Sequence, residues 1–216
     1  MPHLDRNGDL AVLHLGDDEN KLNRDWLSAV VSCLDDVEAA PPHALVTVAE
    51  GKHWSTGLDL DWLGANSGVA QAFLDDVERM LARMLVLPVA TVAAIQGHAF
   101  AAGAMFALAH DVRVMRRDRG YFCLPEVDLP LPFTPGMAAL IQAKLDPPVA
   151  HEAMTTGRRY GGEDAAALRI VSAAVPQDVV PTAAEEIAKS SGGKHAQTLG
   201  TIKQQMYAHV TALLQH

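Results

Sequence analysis

Glu126 closes the apolar run Tyr121-Phe122-Cys123-Leu124-Pro125. A carboxylate at the edge of an apolar wall has a raised pKa and can shuttle protons. Upstream lies the small-residue loop Gly97-His98-Ala99-Phe100-Ala101-Ala102-Gly103, which opens an Ala-rich helical segment closing at His110-Asp111. Such a loop running into a helix N-terminus presents backbone N–H groups to developing negative charge. A second loop, Trp54-Ser55-Thr56-Gly57-Leu58-Asp59, follows a buried strand, the position where open α/β folds place ligands. Gly57 permits close backbone approach and leaves the Leu58 N–H free to face a cleft. One base facing an anion site is what proton transfer beside a carbonyl requires.

Each part alone also has an ordinary reading. The first loop suits a plain strand-to-helix connection with Asp59 as a first-turn acid. The second suits close helix packing by Ala101, Ala102 and Ala104, and it lacks the G-x-G-x-x-G spacing of a dinucleotide loop. Glu126 suits an exposed acid in the first helical turn after Pro125. Arg113, Arg116, Arg117 and Arg119 read as a solvated turn rather than a phosphate clamp. The ten histidines form no ligand pair such as H-E-x-x-H, so no metal site is expected. No serine occupies a G-x-S-x-G elbow.

The elements that must position these residues follow from hydrophobic pattern. Leu10 to Leu15 is a β-rich run after the Asn7-Gly8 hairpin signal. Asn23 caps a helix through about Glu38 with Trp26, Leu27, Val30, Val31, Leu34 and Val37 on one face, and Pro41-Pro42 stops it. Ala44 to Ala49 and Val89 to Ile95 are continuous apolar strands, and Val112 to Met115 and Tyr121 to Leu124 are shorter ones. Gly51 to Gly57 and Gly97 to Gly103 are loops, with an amphipathic helix from Val69 to about Leu87 between them. Strands alternating with helices at this spacing predict an α/β fold. The later part is mainly helical, over Pro148 to Thr156, Glu163 to Arg169, Pro181 to Ser190 and Lys194 to Leu214, with one strand near Ile170 to Val175.

The 216 residues suffice for one substantial core, and a net charge of −9 argues against nucleic acid or an anionic membrane as partner. Cys33 and Cys123 read as buried free thiols of a reducing compartment. Met84 to Ala109 is apolar enough to suggest a membrane span, but Pro88, Gln96, Gly97 and His98 divide it into pieces too short to cross. The N-terminus lacks the basic-then-apolar order of a signal peptide, so a cytoplasmic location is expected.

The joint order is strand, aromatic-Ser-x-Gly-x-Asp, helix, strand, Gly-rich loop, Ala-rich helix ending in Asp, strand, Pro-Glu. It resembles the crotonase (enoyl-CoA hydratase/isomerase) family from about Leu10 to Val175, including Thr156-Gly157-Arg158-Arg159-Tyr160 before an Ala-rich helix. Within that family it looks most like the delta(3)-delta(2)-enoyl-CoA isomerases, through Met115-Arg116-Arg117-Asp118-Arg119-Gly120 and Glu126-Val127-Asp128. The resemblance implies a spiral of ββα units over residues 1–175 and a helical, oligomerising segment over 176–216. It implies an oxyanion hole from the Leu58 and Ala102 N–H groups, Glu126 as catalytic base, and substrate contacts from Trp54, Ser55, Thr56, Gly57, Asp59, Gly103, Met105 and Leu129. The substrate would be an acyl-CoA thioester of fatty acid β-oxidation, with no cofactor and no metal, in a homotrimer.

Two features depart from the family pattern. The first of the hydratases' two catalytic glutamates falls on Met105, which moves no protons and points to isomerase chemistry. A glycine usual after the Pro-Glu falls on Pro130, within Asp128-Leu129-Pro130-Leu131-Pro132-Phe133-Thr134-Pro135-Gly136, where a rigid loop would reshape the acyl pocket. Another crotonase-type acyl-CoA reaction, or a silent acyl-CoA-binding subunit, is the alternative. In the tail, Leu199, Ile202, Met206, Val210 and Leu213 form a stripe that requires burial, and Lys203 reads as solvated or as reaching a CoA phosphate.

Overall fold

The computed structural model describes residues 1–129 and 131–215. Pro130 and His216 therefore lie outside the described residues. The strands are β1 (His3–Asn7), β2 (Leu10–His14), β3 (Ala44–Val48), β4 (His53–Ser55), β5 (Ala90–Ile95), β6 (His98–Phe100), β7 (Val112–Arg116), β8 (Phe122–Cys123) and β9 (Ala173–Val175). The helices are α1 (Arg24–Ala39), α2 (Leu60–Ala65), α3 (Ala70–Leu85), α4 (Ala102–Ala109), α5 (Pro135–Lys144), α6 (Pro147–Thr156), α7 (Gly162–Ala167), α8 (Val180–Ser191), α9 (Ala196–Met206) and α10 (Ala208–Leu214).

Two sheets result, one in the order β1-β2-β3-β5-β7-β9 and one in the order β4-β6-β8. Among the described strand pairs the β1–β2 hairpin alone is antiparallel, and it turns at Gly8 with a φ of 63°. Each of β3, β5 and β7 leads directly into a short strand of the smaller sheet, so parallel pairing in the first sheet is repeated in the second. Three chain segments thus leave the smaller sheet side by side at its C-terminal edge. This is the ββα repeat that the sequence resemblance implies.

The apolar strands are buried on both faces, as their continuous patterning requires. Alternate residues divide between two clusters: Ala11, Leu13 and Leu45 face the main core, while Leu10, Val12, Val46 and Val92 face Val180, Ala184 and Ala188 of α8. Within the main core His110 is fully buried. Its Nδ1 lies 2.9 Å from the Phe106 carbonyl, to which it must donate, so Nε2 accepts from the Thr47 hydroxyl at 2.7 Å. Burial pushes its pKa down to about 3, which keeps the ring neutral.

Several elements differ from expectation. β4 and β6 occupy segments read as loops, because three-residue strands carry no readable periodicity. Helix α5 lies in a stretch for which proline punctuation gave no helical signal, with Thr134 as its N-cap, its Oγ1 accepting from Met137 N, and Pro135 in its first turn. Arg113 is buried rather than solvated. Its guanidinium donates to the carbonyls of Ile170 at 2.7 Å and His110 at 3.0 Å, and burial pushes its pKa down to about 10.

The tail is also rotated and interrupted relative to its apolar stripe. It breaks at Tyr207 into α9 and α10, and its buried positions are Gly200, Lys203, Val210 and Leu214. Ile202 and Met206 remain exposed. The cause is Lys203, whose Nζ donates to the carbonyls of Leu87 at 3.0 Å and Val89 at 2.7 Å and to Asp111 Oδ2 at 2.6 Å. Burial lowers its pKa while Asp111 raises it. A lysine so held reaches no CoA phosphate, which corrects that expectation. Gly200 permits the approach, since a Cβ there would lie 3.1 Å from Pro88 Cβ. Among the described residues no helix is long and apolar enough to cross a membrane.

Removing Lys203 takes a donor from two carbonyls and leaves the Asp111 carboxylate without its counter-charge, holding only Thr91 N among the described residues. Lys203→Ala is expected to cost about 3 kcal/mol in urea unfolding. Lys189→Ala, which breaks the exposed pair with Glu185, should cost under about 0.5 kcal/mol.

Candidate active site

Strand register in the smaller sheet places the three functional segments. Ser55 pairs with Ala99, and Phe100 with Cys123. Leu58 lies three residues beyond Ser55, Ala102 three beyond Ala99, and Glu126 three beyond Cys123. All three therefore emerge at the same edge of the sheet, at the carboxyl ends of parallel strands.

The first two segments touch. Gly57 has a φ of +87°, and a Cβ on it would sit 2.9 Å from Ala101 Cβ and 3.0 Å from Ala102 N. Its carbonyl accepts from Leu22 N at 2.8 Å, and Asp59 N donates to Leu22 O at 3.0 Å. Among the described residues the Leu58 N–H between them has no acceptor. Ala102 opens α4, so its N–H also lacks an intrahelical partner. Ala101, just before it, has φ 51° and ψ −129°, a strained conformation for a residue with a Cβ. The loop that carries Leu58 is thus held against the start of α4 by a glycine without room for a side chain and a strained alanine.

Glu126 begins a 3-10 turn over Glu126–Asp128 and is only 8% exposed. Among the described residues its Oε2 has no hydrogen-bond partner. Burial raises its pKa to about 7, opposed by a backbone hydrogen bond at Glu126 itself. A carboxyl in that state can take up and return a proton near neutral pH.

These groups face a cavity of about 120 Å³. Its wall includes Thr56, Leu58, Ala102, Met105 and Leu129 from the sequence-derived set, and Leu60, Leu74, Ala101, Leu131, Pro132, Thr134 and Met137 beyond it. Among these described lining residues Glu126 is the only titratable group. Met105, 1% exposed, presents an uncharged thioether to the same wall.

Other sequence-derived residues support the wall without lining it. Trp54 is fully buried, with its ring 5.7 Å from Phe106 and 6.0 Å from His110. Ser55 Oγ donates to Asn20 O at 2.8 Å and accepts from Gly57 N at 3.2 Å. Gly103 packs on Ser55, since a Cβ there would lie 2.6 Å from Ser55 Oγ. Asp59 caps α2, accepting from Trp62 N at 3.0 Å. Its side chain borders a separate hollow with Lys21 and Asn23. The fixed Trp54, Ser55, Gly103 and Asp59 thus shape the loop rather than face the cavity.

Sequence reasoning missed two kinds of residue. Asn20 is buried at a φ of 47°, and its amide donates to Trp54 O at 3.1 Å and His53 O at 3.3 Å. Its only signal was a polar residue beside Lys21-Leu22. Leu74, Thr134 and Met137 come from α3 and the start of α5, segments far apart in the chain. Thr134 Oγ1 donates to the buried Glu78 of α3 and accepts from Met137 N at 3.1 Å, which fixes that side of the wall. The tail backs it, because a Cβ on Gly136 would lie 2.8 Å from Leu213 O.

Comparison with known proteins shows the family. A family model described as "Enoyl-CoA hydratase/isomerase" matches residues 5–216. "Enoyl-CoA delta isomerase 3" of Arabidopsis thaliana is 34% identical, covering 99% of this chain and 95% of the relative. The peroxisomal "Enoyl-CoA delta isomerase 2" of the same plant is 32% identical with the same coverage. Among solved structures, a Mycobacterium tuberculosis enoyl-CoA isomerase superposes with a TM-score of 0.90 at 23% identity, over 99% of this chain and 93% of that one. A family protein from Pseudomonas syringae gives 0.92 at 20% identity, with the same coverage. These structural likenesses show the fold.

Gly57→Ala should separate the two loops. Its Cβ would press on Ala101 and Ala102 at a φ that L residues rarely adopt. Loss of turnover by about 100-fold is expected, as for removal of one oxyanion donor. Thermal melting should show a destabilisation of about 1–3 kcal/mol.

Proposed function

This chain belongs to the enoyl-CoA hydratase/isomerase family, and from that premise we propose that it moves the double bond of a 3-enoyl-CoA to position 2. Glu126 removes a proton from carbon 2, which the thioester carbonyl and the double bond both acidify. Charge collects on the thioester oxygen, which the Leu58 and Ala102 N–H groups hold. Glu126, now protonated, returns the proton to carbon 4. A positioned base contributes about 10² to 10⁴ in rate, and one oxyanion donor about 3 kcal/mol.

The observation that carries this reading is the single titratable side chain on an otherwise uncharged wall, beside two unpaired N–H groups. Hydration requires a group to activate water as well as one to protonate carbon, and Met105 stands where the second would be. The names of the Arabidopsis relatives support the same choice. A role in β-oxidation of unsaturated acyl chains follows from the reaction. The acyl chain would run toward Leu74, Leu131 and Met137, and the pantetheine past the Thr56–Asp59 loop.

We also infer a homotrimer. Ile202 is 48% and Met206 66% exposed on α9, leaving apolar surface that intrachain packing does not cover. Sedimentation equilibrium at micromolar concentration should give three times 23.1 kDa, and a 23.1 kDa species would refute it.

The mechanism is tested with 3-hexenoyl-CoA and 2-hexenoyl-CoA side by side. Wild type should isomerise the first and leave the second unhydrated. Glu126→Gln should lower turnover at least about 100-fold with acyl-CoA affinity retained. Because Glu126 must be ionised to act, kcat/KM should rise with pH through an apparent pKa near 7. The sign of the stability effect is opposite. The native carboxyl holds its proton above the unfolded pKa, so the unfolded state releases it first and stability falls as pH rises from 4.5 to about 7. Glu126→Gln should flatten that fall in a series of denaturant titrations. Turnover close to wild type in the Gln variant would make Glu126 structural.

A further inference from the structure

The β1–β2 hairpin lies at the edge of the larger sheet, outside the catalytic cavity, and carries two histidines and an aspartate on one face. His3 and His14 are direct cross-strand partners. Asp5 lies two residues along β1 from His3, hence on the same face of the strand. The two imidazoles are parallel, with centroids 4.6 Å apart. His14 Nε2 lies 3.3 Å from Asp5 Oδ2. One nitrogen from each histidine and one Asp5 oxygen all fall within 4.8 Å of one another. No motif in the sequence marks this set, because only the hairpin register brings His14 to residues 3 and 5.

We propose that His3, Asp5 and His14 form a surface site for a borderline divalent transition metal of the zinc class. Two imidazoles and a carboxylate are the donor set such ions select, whereas magnesium and calcium prefer oxygen donors throughout. Tetrahedral zinc at about 2.0–2.1 Å from nitrogen requires donor atoms about 3.3 Å apart. The histidine–aspartate pair already meets that spacing. His3 and Asp5 are exposed, so their side chains can rotate to close the remainder without disturbing a core. A hollow of about 220 Å³ lined by His3, His14, Asp17 and Glu50 adjoins the set, leaving room for a coordinated water and two further carboxylates to attract a cation.

Such an ion would join β1, whose residues are mostly exposed, to the buried strand β2. It binds the folded hairpin and not the unfolded chain, so it raises stability by mass action.

The test is zinc titration of the full chain against a chromophoric chelator, with His3→Ala, Asp5→Asn and His14→Ala compared to wild type. One zinc per chain at micromolar affinity is expected, weakened at least tenfold in each variant. Wild-type melting temperature should rise with zinc, and that rise should vanish in the variants. His98→Ala, at another histidine pair, should bind zinc as wild type does. Because His3 and Asp5 are exposed edge positions, their variants should keep the wild-type circular dichroism, and His14→Ala is read only alongside them. Absence of saturable 1:1 binding below 100 micromolar zinc, on the order of weak exposed sites, overturns the proposal. So does equal affinity in the His3 and Asp5 variants. Isomerase turnover in His3→Ala without added zinc should equal wild type, which separates this site from the catalytic reading.

Discussion

The site depends on the contact between Gly57 and Ala101-Ala102. Two backbone N–H groups can serve one oxygen only if their strands end together and the loops beyond them nearly touch. Parallel pairing of β4 and β6 supplies the first condition, and the missing side chain at Gly57 supplies the second. The strained backbone of Ala101 then turns the chain so that α4 begins with a free N–H. A conformation costing on the order of 1–3 kcal/mol persists only where its surroundings over-determine it. Here they do: Ala101 N donates to Cys123 O at 3.0 Å and its carbonyl accepts from Met105 N at 3.0 Å. Ser55 and Asn20 brace the opposite loop. Unsatisfied donors and stored strain are thus held at one place by an otherwise well-bonded frame.

Glu126 depends on the same frame in a different way. A carboxylate prefers water, and in this cavity it has leucines, methionines and an alanine helix instead. Its raised pKa is the direct consequence of that burial. No cation lines the described wall, so the carboxyl is not pulled back toward a permanently ionised state. His110 shows the contrast within the same core. There both ring nitrogens are occupied, so burial fixes one neutral form and no proton is exchanged. Glu126 differs in that its Oε2 has no partner among the described residues and lines a cavity.

Much of this was legible in the chain because it is local. Apolar runs mark β2, β3 and β5, Asn23 marks the start of α1, and the two glycine-rich loops mark strand ends. Glu126, Leu58 and Ala102 could be nominated because each sits beside such a signal, and the structure brings all three to one cavity. Trp54 and Ser55 carry the same loop signature yet both are buried, Trp54 against Phe106 and His110 and Ser55 in hydrogen bonds to Asn20 and Gly57, and a motif does not say which of its positions face a cavity. Leu74, Thr134 and Met137 were invisible for another reason. They reach the cavity only because α3 and α5 both pack on α4 and α10, and no local pattern encodes contacts between distant helices. Strands β4 and β6 were hidden by their length, for three residues make too little periodicity to read.

Lys203 shows how a polar residue can override an apolar pattern. The stripe of Leu199, Ile202 and Met206 would place one face of α9 inward, and helical periodicity alone supports that orientation. An ammonium held by two carbonyls and the half-buried Asp111 gains strong charge-assisted bonds, and a buried Lys203 without them would be costly. Asp111 is itself committed, because it also accepts from Thr91 N at 2.9 Å while its own N–H donates to Thr91 Oγ1 at 2.9 Å. Satisfying that network rotates α9 and leaves Ile202 and Met206 outward. One buried lysine thus both ties the tail to its own core and determines which face of α9 stays exposed, the face on which the proposed trimer rests.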